Sequence, residues 1–350
     1  IDLAPDVLIT ETPLQQNDYL ELRDADIRII EITAPTDFES AFDLYYDLCL
    51  LLDGVTTGDE NGVNNNGGTL TVTGAVVVEN ITGRGVSNNK NFTAASVTVS
   101  DAGKNGGNGI QNSGNGVMTI SGAVSIQNIA NGHAIYNAKT VSFGSFTSVD
   151  TSKNGINNGG TFTVAGELSV TNAGGDAVSN SKTLTAGSIA VDTGAKSGIN
   201  NSGTFTVTGL TSVKNITCTD ANAIQNRGTM TLGDVVVDGL MAKIGTETYD
   251  DNGTEKTRDK SNVGNGIYNQ KKLTLNGTAT VTNLFTDVKN NTLGAGLLVT
   301  KGGTVTGTGS LVITGTASTD ESYPYGINNG IFIDGAEGKS SVNLTGDITV

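Results

Sequence analysis

Tryptophan is absent from this 350-residue chain, and aromatic residues of every kind make up only 5% of it. Such a composition is not that of an ordinary globular mixture of two or three domains, and one elongated repetitive domain fits it better. Cysteine is almost as scarce. Cys49 lies in an apolar run and Cys218 in a polar loop, too few and too differently placed for a disulfide framework or a zinc site, so both are expected as free thiols. His133 is the one histidine, which leaves no second imidazole for a metal or catalytic set, and it reads as a solvated turn residue. Charged residues are few, at 16%, and the net charge is -15 with no cluster of Lys or Arg. That balance excludes a disordered polyelectrolyte and repels nucleic acid and anionic membrane. No apolar run is long enough to span a bilayer, so no direct membrane insertion is expected. No basic stretch followed by an apolar one opens the sequence, so an export signal is expected to have been removed or to lie outside it.

Glycine and acidic residues, by contrast, are abundant and unevenly spread. Residues 1–60 hold 15 Asp and Glu against only Arg23 and Arg28, whereas of 48 glycines only Gly54 and Gly58 fall there. The break predicts an acidic N-terminal segment, 1–54, and a Gly/Asn/Thr-rich repeat domain, 55–350, with an insertion loop at 241–265.

Within the second region one phrase recurs: Gly or Ala, then Ile or Val, then any residue, then Asn. It begins at Gly62-Val63-Asn64-Asn65 and returns at, for example, Gly109-Ile110-Gln111-Asn112, Gly198-Ile199-Asn200-Asn201 and Gly326-Ile327-Asn328-Asn329, with a copy lacking Asn at Gly296-Leu297-Leu298-Val299. The apolar anchors follow at 23, 24, 25, 21, 22, 21 and 25 residues up to Ile224, then at 43, 30 and 30. Each phrase leads into an alternating stretch such as Thr161-Phe162-Thr163-Val164, and then into a third such as Val124-Ser125-Ile126. Period-two patterning, β-branched residues and Gly/Asn turns predict three short strands per repeat. The reading is all-β: a right-handed parallel β-helix of about 11 rungs of roughly 22 residues, with anchors such as Val63, Ile156 and Ile267 stacked inward and Leu70, Phe92, Phe162 and Phe205 forming a second inward column.

The Asn two positions after each anchor is expected to stack on its counterparts as an amide ladder: Asn65, Asn88, Asn112, Asn137, Asn158, Asn180, Asn201, Asn226, Asn269 and Asn329. A side-chain amide both donates and accepts, which suits it to satisfying turn groups that the strands leave unpaired.

The phrases Gly-Ile-Tyr-Asn-Gln-Lys-Lys-Leu-Thr-Leu-Asn-Gly (266–277) and Gly-Ile-Asn-Asn-Ser-Gly-Thr-Phe-Thr-Val-Thr-Gly (198–209) resemble the repeats of right-handed β-helical surface proteins: autotransporter passengers, polymorphic outer-membrane-type proteins and adhesin-like proteins. The likeness covers about residues 55–350 and implies an extracellular or cell-surface location. In the acidic segment, Thr36 and Glu39 form a capping-box signature ahead of Phe38, Phe42, Tyr45 and Leu52 at helical spacing, although Leu48–Leu52 reads equally as a strand. The segment would cover the open end of the solenoid, or dock another subunit.

Parallel β-helices include polysaccharide lyases and hydrolases, whose sites need clustered charged side chains on one face and aromatics to hold sugar rings. The outward positions here are mostly Thr, Ser and Asn, so no catalytic residue and no cofactor is expected, and the chain reads as a non-enzymatic structural or adhesive protein. A carbohydrate-active enzyme is the alternative. Asp250 and Asp251 resemble a calcium-binding turn, although an exposed acidic loop explains them as well. Thr-x-Thr pairs such as Thr204/Thr206 suggest a flat ice-binding face, a third and lesser reading, because Asn91, Thr140, Ser142 and Lys272 interrupt their regularity. Expected partners are other surface proteins, glycans or copies of the chain. They would be met by loops at 241–265, 286–295 and 316–325, with Tyr249, Tyr323 and Tyr325 as anchors.

Overall fold

Glycine before the anchor and a polar turn after the Asn leave room for only a very short strand, whereas the alternating stretch that follows can pair over its whole length. The computed structural model describes residues 61–252, 254–288, 294–336 and 338–350. Each phrase within them up to Ile267 is a three-residue strand, such as Val63–Asn65 or Ile199–Asn201, and each is followed by a longer one. The fold is an all-β parallel solenoid with no helix among the described residues. Eleven short rung strands recur among the described residues, and about eight turns keep the regular period, because insertions stretch the turns after Ile224. The boundary near residue 55, the capping segment and its helix lie outside the described residues.

The chain divides into two units, residues 1–166 and 167–350. In the first, Val63, Val86, Ile110, Ile135 and Ile156 pair in unbroken parallel register. In the second, Val178, Ile199, Ile224, Ile267 and Leu297 do the same. All are buried, as are the second columns Leu70, Phe92, Met118 and Val141 in the first unit and Leu184, Phe205, Met230 and Leu273 in the second. Each such side chain contributes roughly 1.5–3 kcal/mol when fully buried. The first unit thickens its narrow core with rings: Phe162 meets Phe143 edge-on, centroids 5.5 Å apart at 81°.

The expected three strands per turn are two in the first unit. There the second and third stretches merge into one strand, as in Thr69–Glu79 and Val117–Ile129, that bends through a register shift between Val72 and Ala75, or Ile120 and Ala123. A bulge turns the corner without ending the ladder. In the second unit Thr183–Gly194 is still one strand, and from Thr204 on the stretches separate, as in Thr204–Val207 and Thr211–Thr219. At the corner after the Asn the backbone of one turn passes so close to the next that only glycine fits: a Cβ on Gly160 would lie 2.0 Å from the Lys139 carbonyl oxygen, and one on Gly203 2.0 Å from that of Lys182.

One anchor is corrected. Leu297 pairs with Ile331, not Ile327, and Asn329 stands opposite Ala295, outside the ladder. The rung before it carries Val299 where the ladder Asn would be, opposite Asn269. Sliding four residues instead sets Ile331, Phe332 and Ile333 against Leu297, Leu298 and Val299.

Candidate functional site

The recurrent Asn side chains form two continuous hydrogen-bonded stacks, one in each unit. In the first, Nδ2 of Asn65, Asn88, Asn112 and Asn137 donates to Oδ1 of the Asn one turn on, at 2.8–2.9 Å, ending on Asn158. In the second, Asn180, Asn201 and Asn226 donate in the same way, ending on Asn269, each at 2.8 Å. The oxygens also accept the backbone N–H two residues on, at the corner of the same rung, as from Gly203 to Asn201 at 3.1 Å. All nine are buried, so these residues hold the scaffold and present nothing to a ligand.

Two further polar rows accompany the ladder, of which the sequence shows only the recurring Asn80, Asn128 and Asn215 at the end of the third stretch. The third stretch of each turn ends on a residue in the left-handed region: Asn80, Asp101, Asn128 and Asp150 in the first unit, Asn172, Thr193, Asn215, Gly239 and Asn283 in the second, with φ between 52° and 82°. Asn and Asp tolerate that conformation and glycine adopts it freely, whereas Thr193 is strained there. The second row lies two residues before each anchor, where a side chain accepts the backbone N–H of its successor, as Asn108 does from His133 and Asp176 from Ser197. His133 belongs to this row. It is half-buried, its Nδ1 accepts the Asn154 N–H at 3.1 Å, and burial and then Lys153 hold it below its ordinary value of 6.5. The solvated turn residue expected of it is thereby corrected, because the ring fills a position that Asn takes in neighbouring turns.

Two places gather side chains able to meet a ligand. In the first unit, Asn80, Asp101, Lys104, Asn128 and Asp150 line a cleft of about 370 Å³ over Ala102 and Ile129. Asn128 Nδ2 donates to Asp101 Oδ1 at 3.1 Å, and Asp101 and Asp150 lie two turns apart, about 10 Å by ordinary strand spacing.

In the second unit the insertion is a hairpin, Thr246–Asp251 paired antiparallel with Thr254–Asp259. Arg258 Nε donates to Glu247 Oε1 at 2.8 Å, and its guanidinium lies 4.9 Å from the centre of the Tyr249 ring. The base is clamped: Lys260 pairs with Asp220, and Asp220 Oδ1 also accepts the Gly245 N–H at 2.6 Å. Asp287 Oδ1 accepts the Ile244 N–H at 2.9 Å, while Thr286 and Tyr325 exchange backbone hydrogen bonds. Those bonds join the bases of the three insertions.

The candidate residues there separate. Asp250 and Asp251 are successive in a strand and point to opposite faces, and Asp251 is paired with Lys256, so the two carboxylates do not converge on an ion. Among the described residues no group of three His, Cys, Asp or Glu is placed to hold a metal. Tyr323 is buried, at 8% exposure, and cannot anchor a partner; burial and then Asp287, Asp320 and Cys218 raise its hydroxyl above the usual tyrosine range. Tyr325 is exposed, and Tyr249 is half-exposed beneath Arg258. Cys218 is a free, buried thiol, which burial above all pushes up to about 12, so it is inert as a nucleophile. No family model matches the chain, and neither does any curated protein or solved structure.

Proposed function

We propose that the chain is a structural and adhesive element, displayed outside the cell or on its surface, in which the solenoid serves as a rigid mount for recognition loops. One observation supports this most: the charged hairpin Thr246–Asp259 stands on a base fixed by Asp220, Lys260 and Asp287, while its own side chains remain largely exposed. Loops held rigidly lose little entropy on binding, and Tyr249, Arg258 and Tyr325 supply the ring and guanidinium groups that dominate interfaces. The partners are surface proteins, glycans or other copies of the chain. The test replaces 246–259 by a short Gly/Ser turn and compares binding to cells and immobilised glycans. A folded variant that binds as well as the parent rejects the hairpin as the adhesive site.

The cleft in the first unit favours a second reading, a carbohydrate-active enzyme. Asp101 and Asp150 line one cleft from turns about 10 Å apart by ordinary strand spacing, near the roughly 6.5–9.5 Å carboxyl separation of inverting glycosidases, with Lys104 beside them. Reducing-end release from polysaccharides that disappears in both Asp101→Asn and Asp150→Asn would establish that reading over the first.

A further inference from the structure

The pairing register changes the meaning of the Thr-x-Thr pairs. Asn91, Val117 and Lys272 interrupt the column holding the first threonine of each pair, whereas the second column keeps a hydroxyl, with Ser142 for one threonine, until Asn343 follows Thr306. In the second unit that row is Thr185, Thr206, Thr231, Thr274 and Thr306, each directly opposite the next. In the first unit it is Thr71, Thr93, Thr119 and Ser142. All five threonines of the second unit are half-exposed. Beside them run Thr183, Thr204, Thr229, Lys272 and Thr304.

Strand propensity does not account for this choice. The outward column of the third stretch has the same exposure and the same parallel pairing, yet it reads Ala190, Ser212, Val236, Thr280, Val312. Where the strand alone decides, small and β-branched residues mix; in the other column threonine holds five successive turns of the second unit, with Asn343 opposite the last of them. Parallel pairing repeats each hydroxyl and methyl about every 4.8 Å from turn to turn, and the second threonine of a pair lies about 6.6 Å along the strand. The β-branched side chain has few χ1 choices, so its two groups are held in place. The face is also nearly uncharged, with Lys272 as its one ionic group, on a chain of net charge -15.

A neutral, rigid, two-dimensional grid of hydroxyls and methyls is complementary to a neutral periodic solid. We propose that this face of the second unit binds ice. Methyl groups hold water between the columns in ordered positions, and the hydroxyls join that water to the lattice. Each contact is weak, so binding depends on many being in register at once.

The test uses the full chain during slow freezing, measuring its partition into the growing ice and its inhibition of recrystallisation. The parent should concentrate in the ice and slow recrystallisation. Thr206→Lys/Thr231→Lys should lose at least tenfold of that activity, whereas Ser212→Lys on the other outward column should retain it. Thr206→Val/Thr231→Val, which keeps shape and strand propensity, serves if the lysine variant misfolds, and should lose several-fold. Deleting the hairpin should change nothing here, which separates this inference from the adhesive reading. Exclusion of the parent from ice, full activity in the folded lysine variant, or retention on insoluble polysaccharide without entry into ice would overturn the proposal.

Discussion

Asn201 donates from Nδ2 to Oδ1 of Asn226 at 2.8 Å while its own Oδ1 accepts from Asn180 at the same distance. Replacing it by leucine removes both amide bonds and takes from the Gly203 N–H and the Thr229 carbonyl the side-chain partner each has now. Asn201→Leu should therefore lower stability by about 1–3 kcal/mol for each group left unsatisfied, read from urea denaturation. Asn276→Leu, at an exposed position outside the ladder, should move the midpoint little. Equal effects at the two positions would reject the ladder as a source of stability.

Thr193 adopts φ 60° at a corner where neighbouring turns place Asn172 and Asn215. A β-branched residue in the left-handed region costs about 1–2 kcal/mol, most of which asparagine avoids. Thr193→Asn should raise the melting temperature, and a lower one would show that the Thr193 hydroxyl, which reaches Asp192 at 3.3 Å, matters more than the backbone.

Thr211 sits in an inward column between Ile189 and Val235, with its hydroxyl buried and unbonded. Valine has the same shape without the polar atom, so Thr211→Val should stabilise the chain by about 1 kcal/mol. A loss of stability would mean that the hydroxyl has a partner in solution.

His133 must be neutral at Nδ1 to accept the Asn154 N–H, and its folded pKa is depressed below 6.5. Protons therefore bind the unfolded chain more readily. The stability from the neutral ring is complete above pH 6.5 and is lost as pH falls through the lower folded value. His133→Asn, which keeps the acceptor, should flatten that part of the stability profile. An unchanged slope would assign it to other groups.

The anchors and the Asn ladder were legible because one residue type is demanded at one period, so the signal repeats in every turn. The left-handed corners were legible only at Asn80, Asn128 and Asn215, since Asn, Asp, Thr and Gly all occupy them and only the dihedral is common. The row containing Asn108 and His133 escaped for the same reason: acceptor capacity is shared, residue identity is not. Ile331 was missed because Gly326-Ile327-Asn328-Asn329 matches the phrase better than the strand that pairs, and pairing follows the apolar rung before it. Asp220 and Lys260 meet across 40 residues of sequence, and Asp101 and Asp150 meet in the cleft only because the turns stack.

The amide ladder also has a sense. In both units each of these amide bonds runs from one turn to the turn that follows, so the small dipoles all point one way. An inverted repeat would set donor against donor and be refused, while one entering in the parallel sense would be accepted. The stack thus gives the solenoid a polarity along its axis that a turn added in the parallel sense matches.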